Sequence, residues 1–241
     1  MDFADQVVLV TGSSSGIGEA TARHFDALGA TVVVNSARSV DAGQAVADSL
    51  ARGSYVQGDV ATDGAGIIDQ VLERHGRLDV LVNNAGTTAV IDHADLAAAD
   101  VEVFRRIFEV NVFGTWAVTV AAVDALRRSG GAVVNVTSIA GIRPSGSSIP
   151  YAASKAALNH LTVLLAKVLG PEVRVNAVAP GLIDTPWTAD WASLKPLVAG
   201  MTPLKRTGQP DDIAQAICAV AANTFMTGQV VVVDGGLTIA S

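Results

Sequence analysis

The feature that most constrains the fold is a glycine-rich turn between an apolar run and a helical pattern near the start of the chain. Val7-Val8-Leu9-Val10 is typical of a buried strand, and residues 11–18, Thr-Gly-Ser-Ser-Ser-Gly-Ile-Gly, follow it directly. Backbone N–H groups and the dipole at a helix N-terminus favour an anion. The sequence therefore predicts a phosphate-binding turn, although its G-x-x-x-G-x-G spacing differs from the usual G-x-G-x-x-G fingerprint.

Strand-like and helical patterns alternate along the rest of the chain. The strands are apolar on both faces, which is typical of a parallel sheet covered by helices. We therefore predict an α/β fold with about seven strands in a single domain over residues 1–241. The longest stretch without a clear pattern, 182–209, is predicted to be an active-site lid. We expect strands near 7–10, 31–34, 55–57, 80–83, 132–137, 174–178 and 230–233, and helices near 16–28, 41–52, 64–75, 101–129, 151–169 and 211–222.

Tyr151 and Lys155 form the main candidate for proton transfer. They lie at positions i and i+4, which share one face of a helix. A free tyrosine has a pKa of about 10, and a neighbouring cation favours the phenolate and lowers that pKa. Ser138 ends the segment Asn-Val-Thr-Ser after a β-branched run, where its hydroxyl could bond a substrate oxygen.

In type and order, these residues resemble the short-chain dehydrogenase/reductase family, and the resemblance runs from Val7 to Gly236. It implies a Rossmann-type doubly wound sheet. It also implies hydride transfer between a nicotinamide dinucleotide and a carbonyl/alcohol pair. The other matching segments are Asp59-Val60, Asn83-Asn84-Ala85-Gly86, Asn111, Pro180-Gly181 and Asp234-Gly235-Gly236.

The resemblance also implies catalytic roles. Tyr151 is expected to be the general acid in carbonyl reduction and the base in the reverse reaction. Lys155 would lower the pKa of Tyr151 and bond the nicotinamide ribose, and Ser138 would donate to the substrate oxygen. Asn111 either holds a water for proton relay or kinks its helix. The expected substrate-binding residues are Ser138, Ile142, Tyr151 and Trp187.

The end of the second strand bears on the choice of cofactor. Folds that prefer NAD carry an acidic residue there for the ribose 2′-hydroxyl. Here the strand ends in Asn35-Ser36-Ala37-Arg38, and a guanidinium can bind a 2′-phosphate. We therefore expect NADP(H) to be favoured over NAD(H), although Ser15 stands where many NADP-preferring relatives carry Arg or Lys. The expected cofactor-binding residues are Gly12, Ser14, Ser15, Gly16, Ile17, Gly18, Asn35, Ser36, Arg38, Asp59, Val60, Asn83, Ala85, Gly86, Tyr151, Lys155, Pro180, Gly181, Ile183 and Thr185.

Composition excludes several classes of protein. The net charge of −7 argues against a nucleic-acid or anionic-membrane partner. The single cysteine, Cys218, excludes an internal disulfide and is predicted to be buried, and the histidines show no metal-ligand spacing. No signal peptide precedes the first strand, and charged residues interrupt the most apolar helix, so we expect a cytoplasmic location without a membrane partner.

The two longest predicted helices, 101–129 and 151–169, carry apolar residues all round. A helix of this kind cannot leave one face in water. We therefore expect a homo-oligomer, a tetramer by the resemblance, unless the lid or a neighbouring helix covers that face.

Taken together, these features predict an NADP(H)-dependent reductase or dehydrogenase acting on a small-molecule carbonyl or alcohol. Two alternatives stay open. The first is a reductase of 3-oxoacyl groups on an acidic carrier protein, which would need a basic patch such as Arg127, Arg128 and Arg143. The second is a dinucleotide-binding sensor without turnover, since fold does not fix function.

Overall fold

A single parallel sheet organises the computed structural model, which describes residues 1–240. Its strands are β1 Val7–Val10, β2 Thr31–Ser36, β3 Gly53–Gln57, β4 Val80–Asn83, β5 Ala132–Val136, β6 Arg174–Pro180 and β7 Val230–Val233. Within the described residues the sheet has seven strands in the order β3-β2-β1-β4-β5-β6-β7, and every neighbouring pair is parallel. The predicted α/β fold with seven parallel strands is confirmed.

Helices cover both faces of the sheet and enclose two cores. One core packs Phe25 and Ile217 against Val8, and the other packs Ile67 and Leu126 on the opposite face. Two-sided burial explains why the strands read as continuous apolar runs. The α-helices are α1 Gly16–Ala27, α2 Val40–Ser49, α3 Gly64–His75, α4 Val101–Phe108, α5 Thr115–Ser129, α6 Ile149–Leu169, α7 Leu194–Met201 and α8 Pro210–Ala222.

The strands differ from the prediction at their ends. β3 begins at Gly53 because it pairs with β2 in register from Val32 onward. β6 extends to Pro180 because it pairs with Val233 of β7. Pairing with a neighbour extends a strand beyond its own apolar run, and one segment of sequence does not reveal that neighbour.

The predicted helix over 101–129 is interrupted. α4 and α5 are joined by a π-helical turn, Glu109–Gly114, around the buried Asn111. By length and composition, Val101–Ser129 could cross a membrane. In this structure it lies along the sheet, with Val118 and Leu126 in the core.

The segment expected to be an irregular lid is partly helical. It contains the 3-10 turn Pro186–Trp191 and α7. A capping box fixes the start of the 3-10 turn: the Thr188 hydroxyl accepts from the Thr185 backbone N–H at 3.1 Å. The same hydroxyl donates to the Ile183 carbonyl at 2.8 Å, so the base of the segment is anchored to the chain that leaves β6.

Candidate active site

The carboxyl ends of the central strands open into a cleft of about 1170 Å³. β1 and β4 are neighbours in the sheet although the chain passes from β1 to β2, so the loops that follow them diverge. Ligands of α/β folds bind at such a reversal of strand order. All the residues expected at the cofactor except Asn83 line this cleft, together with Ser138 and Trp187.

Close backbone approach makes glycine necessary in the turn after β1. Gly12 has a φ of +62°, and a Cβ there would lie 2.8 Å from the Ala85 Cα. Ser15, just before α1, is extended and makes no side-chain cap. The first N–H groups of α1 therefore remain available to an anionic group in the cleft.

Asn84 is a cleft residue that the sequence reasoning did not single out. Its Nδ2 donates to the carbonyls of Thr11 at 3.0 Å and Gly12 at 2.9 Å. The Thr11 hydroxyl in turn accepts from the Asn84 backbone N–H at 3.0 Å. These bonds hold the glycine turn against the end of β4. A second asparagine directly after a buried strand was the available signal.

Asn83 does not face the cleft, which corrects the expectation that it binds the cofactor. It is 3% exposed, and its Nδ2 donates to Thr119 Oγ1 and Asn135 Oδ1, both at 2.9 Å. Asn83 and Asn135 are paired across β4 and β5. This register turns Asn83 towards α5 and leaves the next residue at the cleft.

Asn35 and Ser36 line the cleft, but their side chains are bonded within the protein. Asn35 donates to the carbonyls of Val56 and Gly58, both at 3.1 Å, and its Oδ1 accepts from the Gly12 N–H. The Ser36 hydroxyl bonds the Tyr55 hydroxyl at 2.8 Å. The Asn35 side chain thus braces the glycine turn and β3, and the Ser36 side chain bonds β3. Their expected role at a 2′-phosphate stays a prediction.

Arg38 is exposed where the cleft passes the end of β2. Its side chain makes no hydrogen bond or ion pair with any residue of the described range 1–240. The nearest acidic residue in the sequence is Asp41, in the first turn of α2. A guanidinium is thus available where the second strand ends.

Ser138, Tyr151 and Lys155 come together at the other end of the cleft. Ser138 directly follows β5 and begins the 3-10 turn Ile139–Gly141. Ser148 caps α6 by accepting from the Tyr151 backbone N–H at 3.3 Å, which sets the start of that helix. The Lys155 Nζ donates to the Val136 carbonyl at 2.9 Å and lies 5.8 Å from the centre of the Tyr151 ring.

Burial dominates the electrostatics of this group. It raises the pKa of Tyr151, and the hydrogen bond with Ser138 opposes that shift. It lowers the pKa of Lys155 to about 8. Desolvation disfavours both charged forms, so burial shifts the two pKa values in opposite directions. That Lys155 lowers the Tyr151 pKa stays a prediction.

Asn111 lies behind the cleft and does not line it. Its Oδ1 accepts from the Thr87 N–H at 2.8 Å, while its Nδ2 donates to the Thr87 carbonyl and the Ser154 hydroxyl, both at 3.0 Å. The interruption of the helix at Asn111 agrees with the reading of this residue as a kink. The amide also ties the loop after β4 to α6.

Trp187 and Ile142, both expected at the substrate, lie in different places. Trp187 lines the cleft, and its ring centroid is 6.4 Å from that of Tyr151. Ile142 is 46% exposed and does not line the cleft, so its assignment is corrected. Ile142 follows the 3-10 turn after Ser138 and lies at the surface. Ile139 and Ala140 of that turn line the cleft instead.

Comparison with known proteins agrees with this geometry. A family model described as Enoyl-(Acyl carrier protein) reductase matches residues 12–238. A protein of Streptomyces violaceoruber, named as a ketoacyl reductase of the granaticin polyketide synthase, is 56% identical over 95% of both chains. A 3-oxoacyl-acyl-carrier-protein reductase of Thermotoga maritima is 37% identical over 99% of this chain and 100% of its own.

Solved structures show the same fold. A short-chain dehydrogenase/reductase of the glucose/ribitol dehydrogenase type from Brucella melitensis superposes with a TM-score of 0.92 at 30% identity. The match covers 98% of this chain and 99% of that one. The protein therefore belongs to the short-chain dehydrogenase/reductase family, and it is a nicotinamide-dependent oxidoreductase.

Proposed function

We propose that the protein reduces the ketone of a 3-oxoacyl chain to a secondary alcohol with NADPH. The observation that carries this proposal is the meeting of Ser138, Tyr151 and Lys155 in the cleft that begins at the glycine turn. Relatives named as ketoacyl reductases support the class of substrate. An intact set of these groups argues for turnover and against a non-catalytic sensor.

The chemistry assigned to the protein is the proton transfer. The nicotinamide, when bound, supplies a hydride to the carbonyl carbon. The Ser138 hydroxyl donates a hydrogen bond to the carbonyl oxygen, which gains negative charge as the C=O π bond breaks. The Tyr151 hydroxyl then gives its proton to that oxygen and becomes a phenolate, and Lys155 in its cationic form stabilises the phenolate.

The raised Tyr151 pKa suits this direction of reaction. Burial keeps the phenol protonated through neutral pH, so the acid form is present at the start of a reduction. The Ser138 hydroxyl is near enough to Tyr151 to lower the pKa of its phenol against the effect of burial. A substrate oxygen that enters between them would meet two hydroxyl donors.

Asn111 is proposed to act through the loop that it holds, and its role in a water relay stays a prediction. The amide fixes Thr87 next to the cleft and Ser154 on the helix that carries Tyr151. Its contribution to catalysis is thus one of position.

The cofactor proposal is NADP(H) in preference to NAD(H). It is supported by the exposed guanidinium of Arg38 and by the neutral end of β2, where no carboxylate would repel a 2′-phosphate. We further propose that Asp59, Val60, Ala85 and Gly86 contact the adenosine half. The residues after β6, Pro180, Gly181, Ile183 and Thr185, would contact the nicotinamide half.

A carrier protein that delivers the substrate would need a basic patch on the enzyme. Arg127 and Arg128 end α5, which places them at the amino edge of the sheet, away from the cleft. Arg143 follows the Ile139–Gly141 turn and donates to the Thr238 carbonyl. The three arginines do not form one basic patch, so the proposal does not depend on carrier docking through them.

Domain organisation, cellular location and assembly are also part of the proposal. We propose that residues 1–241 act as one domain, with 182–209 as the lid, and that the enzyme is a cytoplasmic homotetramer. The first of these is supported by the sheet, in which β7 pairs with β6 near the end of the chain.

The test is an assay of NADPH oxidation with a short 3-oxoacyl thioester of N-acetylcysteamine, the same acyl group on a carrier protein, and a simple cyclic ketone. Tyr151→Phe removes the proton and keeps the ring. Its turnover should fall by roughly 100-fold or more, the usual cost of losing a general acid, while NADPH still raises the melting temperature.

A Tyr55→Phe variant is the matched control, because Tyr55 bonds Ser36 away from the reacting groups. It should keep most of its turnover. Near-normal turnover by Tyr151→Phe would contradict the proposed mechanism. Activity on the cyclic ketone alone would sink the assigned substrate class and leave the mechanism standing.

A further inference from the structure

A second cavity of about 550 Å³ adjoins the catalytic cleft. It lies between the lid and the loop that follows β4. Most of the residues that line it also line the cleft, so the two spaces adjoin each other along these shared residues. The lining consists of Gly86, Thr87, Thr88, Val90, Trp187, Asp190 and Trp191.

Trp187 is one of these shared residues. Its indole reaches from the lid to the loop after β4, where a Cβ on Gly86 would lie 3.6 Å from the Trp187 Cη2. On the cleft side the same ring lies edge-on to Tyr151, with 6.4 Å between the ring centroids. The indole therefore has Tyr151 on one side, and it lines the second cavity as well.

Both supports of the indole are held in place. On the lid, the capping box of Thr185 and Thr188 fixes the turn that carries Trp187. On the loop, Asn111 bonds the backbone N–H and carbonyl of Thr87, and the Thr88 hydroxyl bonds the Ser147 hydroxyl at 2.6 Å. Hydrogen bonds therefore hold the backbone on both sides of the indole.

We propose that Trp187 is a specificity-determining residue that limits the length of the substituent on one side of the reacting carbonyl. The second cavity is the space that a longer chain would occupy if the indole were smaller. This deepens the proposed function, since it assigns a size limit to the same site. The cavity would take an uncharged chain, because Asp190 on its wall repels an anionic end.

The experiment measures kcat/KM for two matched series of increasing chain length, 3-oxoacyl thioesters of N-acetylcysteamine and methyl ketones. The wild type is compared with Trp187→Ala, Trp187→Phe and Leu197→Ala. Leu197 is a matched control on the lid, because it is 65% exposed and lines neither cavity. The melting temperature with and without NADPH checks that each variant is folded and binds cofactor.

We expect the wild type to prefer short chains in whichever series it reduces. Trp187→Ala should raise the ratio of long-chain to short-chain kcat/KM by roughly tenfold or more, which is the range that pocket size gives per added methylene or two. The ratio for Trp187→Phe should lie between those of the wild type and Trp187→Ala. Leu197→Ala should keep the wild-type ratio.

A uniform loss across chain lengths in Trp187→Ala, with normal NADPH binding, would overturn the proposal and mark Trp187 as a lid anchor. Failure of the 3-oxoacyl function is seen separately, as wild-type turnover of the methyl ketones but not of the thioesters. In that case the methyl ketone series still reports on Trp187.

Discussion

At the scale of the residue, the buried Lys155 gives the site a pH limit. Its pKa is lowered to about 8 by burial, so the cation is present at neutral pH and is lost as pH rises through 8. The raised pKa of Tyr151 keeps the phenol protonated over the same range. Reduction needs the proton of Tyr151 and the positive charge of Lys155. The upper pH limit of activity should therefore be set by Lys155.

We therefore expect kcat/KM for carbonyl reduction to be level through neutral pH and to fall above about pH 8. A pH profile of NADPH oxidation at fixed ionic strength measures this. In Lys155→Arg the guanidinium stays charged at all these pH values. Its profile should lose the fall near pH 8, although its rate is lower throughout. A fall that persists in Lys155→Arg would assign the limit to another group.

At the scale of the element, the end of β2 is proposed to select the cofactor. The two residues that close the strand, Asn35 and Ser36, are bonded to the glycine turn and to Tyr55. The exposed Arg38 just beyond them is the group that we propose to meet a 2′-phosphate. The turn after the strand, rather than the strand itself, should therefore decide between NADP(H) and NAD(H).

Thermal unfolding with equal concentrations of NADPH and NADH tests this, since the tighter ligand raises stability more. NADPH should give the larger shift. Arg38→Ala should weaken NADPH binding by roughly tenfold and leave NADH binding unchanged. Arg128→Ala, an exposed arginine at the far end of α5, is the matched control. A larger shift with NADH, or an Arg38→Ala protein with wild-type affinity for NADPH, would contradict the assignment.

At the scale of the whole molecule, α5 and α6 leave apolar surface uncovered. Trp116 and Val120 are 46% and 48% exposed on α5, and Leu164 and Val168 are 49% and 66% exposed on α6. The alternative that the lid covers this face does not hold, because these side chains remain exposed with the lid in place. Apolar patches of this kind mark association surfaces.

We expect the protein to associate as a homo-oligomer through these helices. Light scattering at micromolar concentration should give a mass of at least twice the 24.6 kDa of the monomer. Val120→Arg and Leu164→Arg should each shift the mass towards the monomer, because an arginine would be buried without a partner. Leu197→Arg on the lid is the control. A wild-type monomer would rule out this assembly.

The sequence by itself determined the alternation of seven strands with helices and the family to which the site residues belong. Apolar runs predicted the strands, and Tyr151 with Lys155 predicted the proton-transfer pair, because these signals depend on neighbours a few residues apart. Only the tertiary structure decided where each polar side chain points. Asn83 faces the core and Asn84 the cleft because β4 pairs in register with β5, whose Asn135 is distant in sequence. Likewise, Trp187 comes close to Gly86 only because the lid folds back towards the loop after β4.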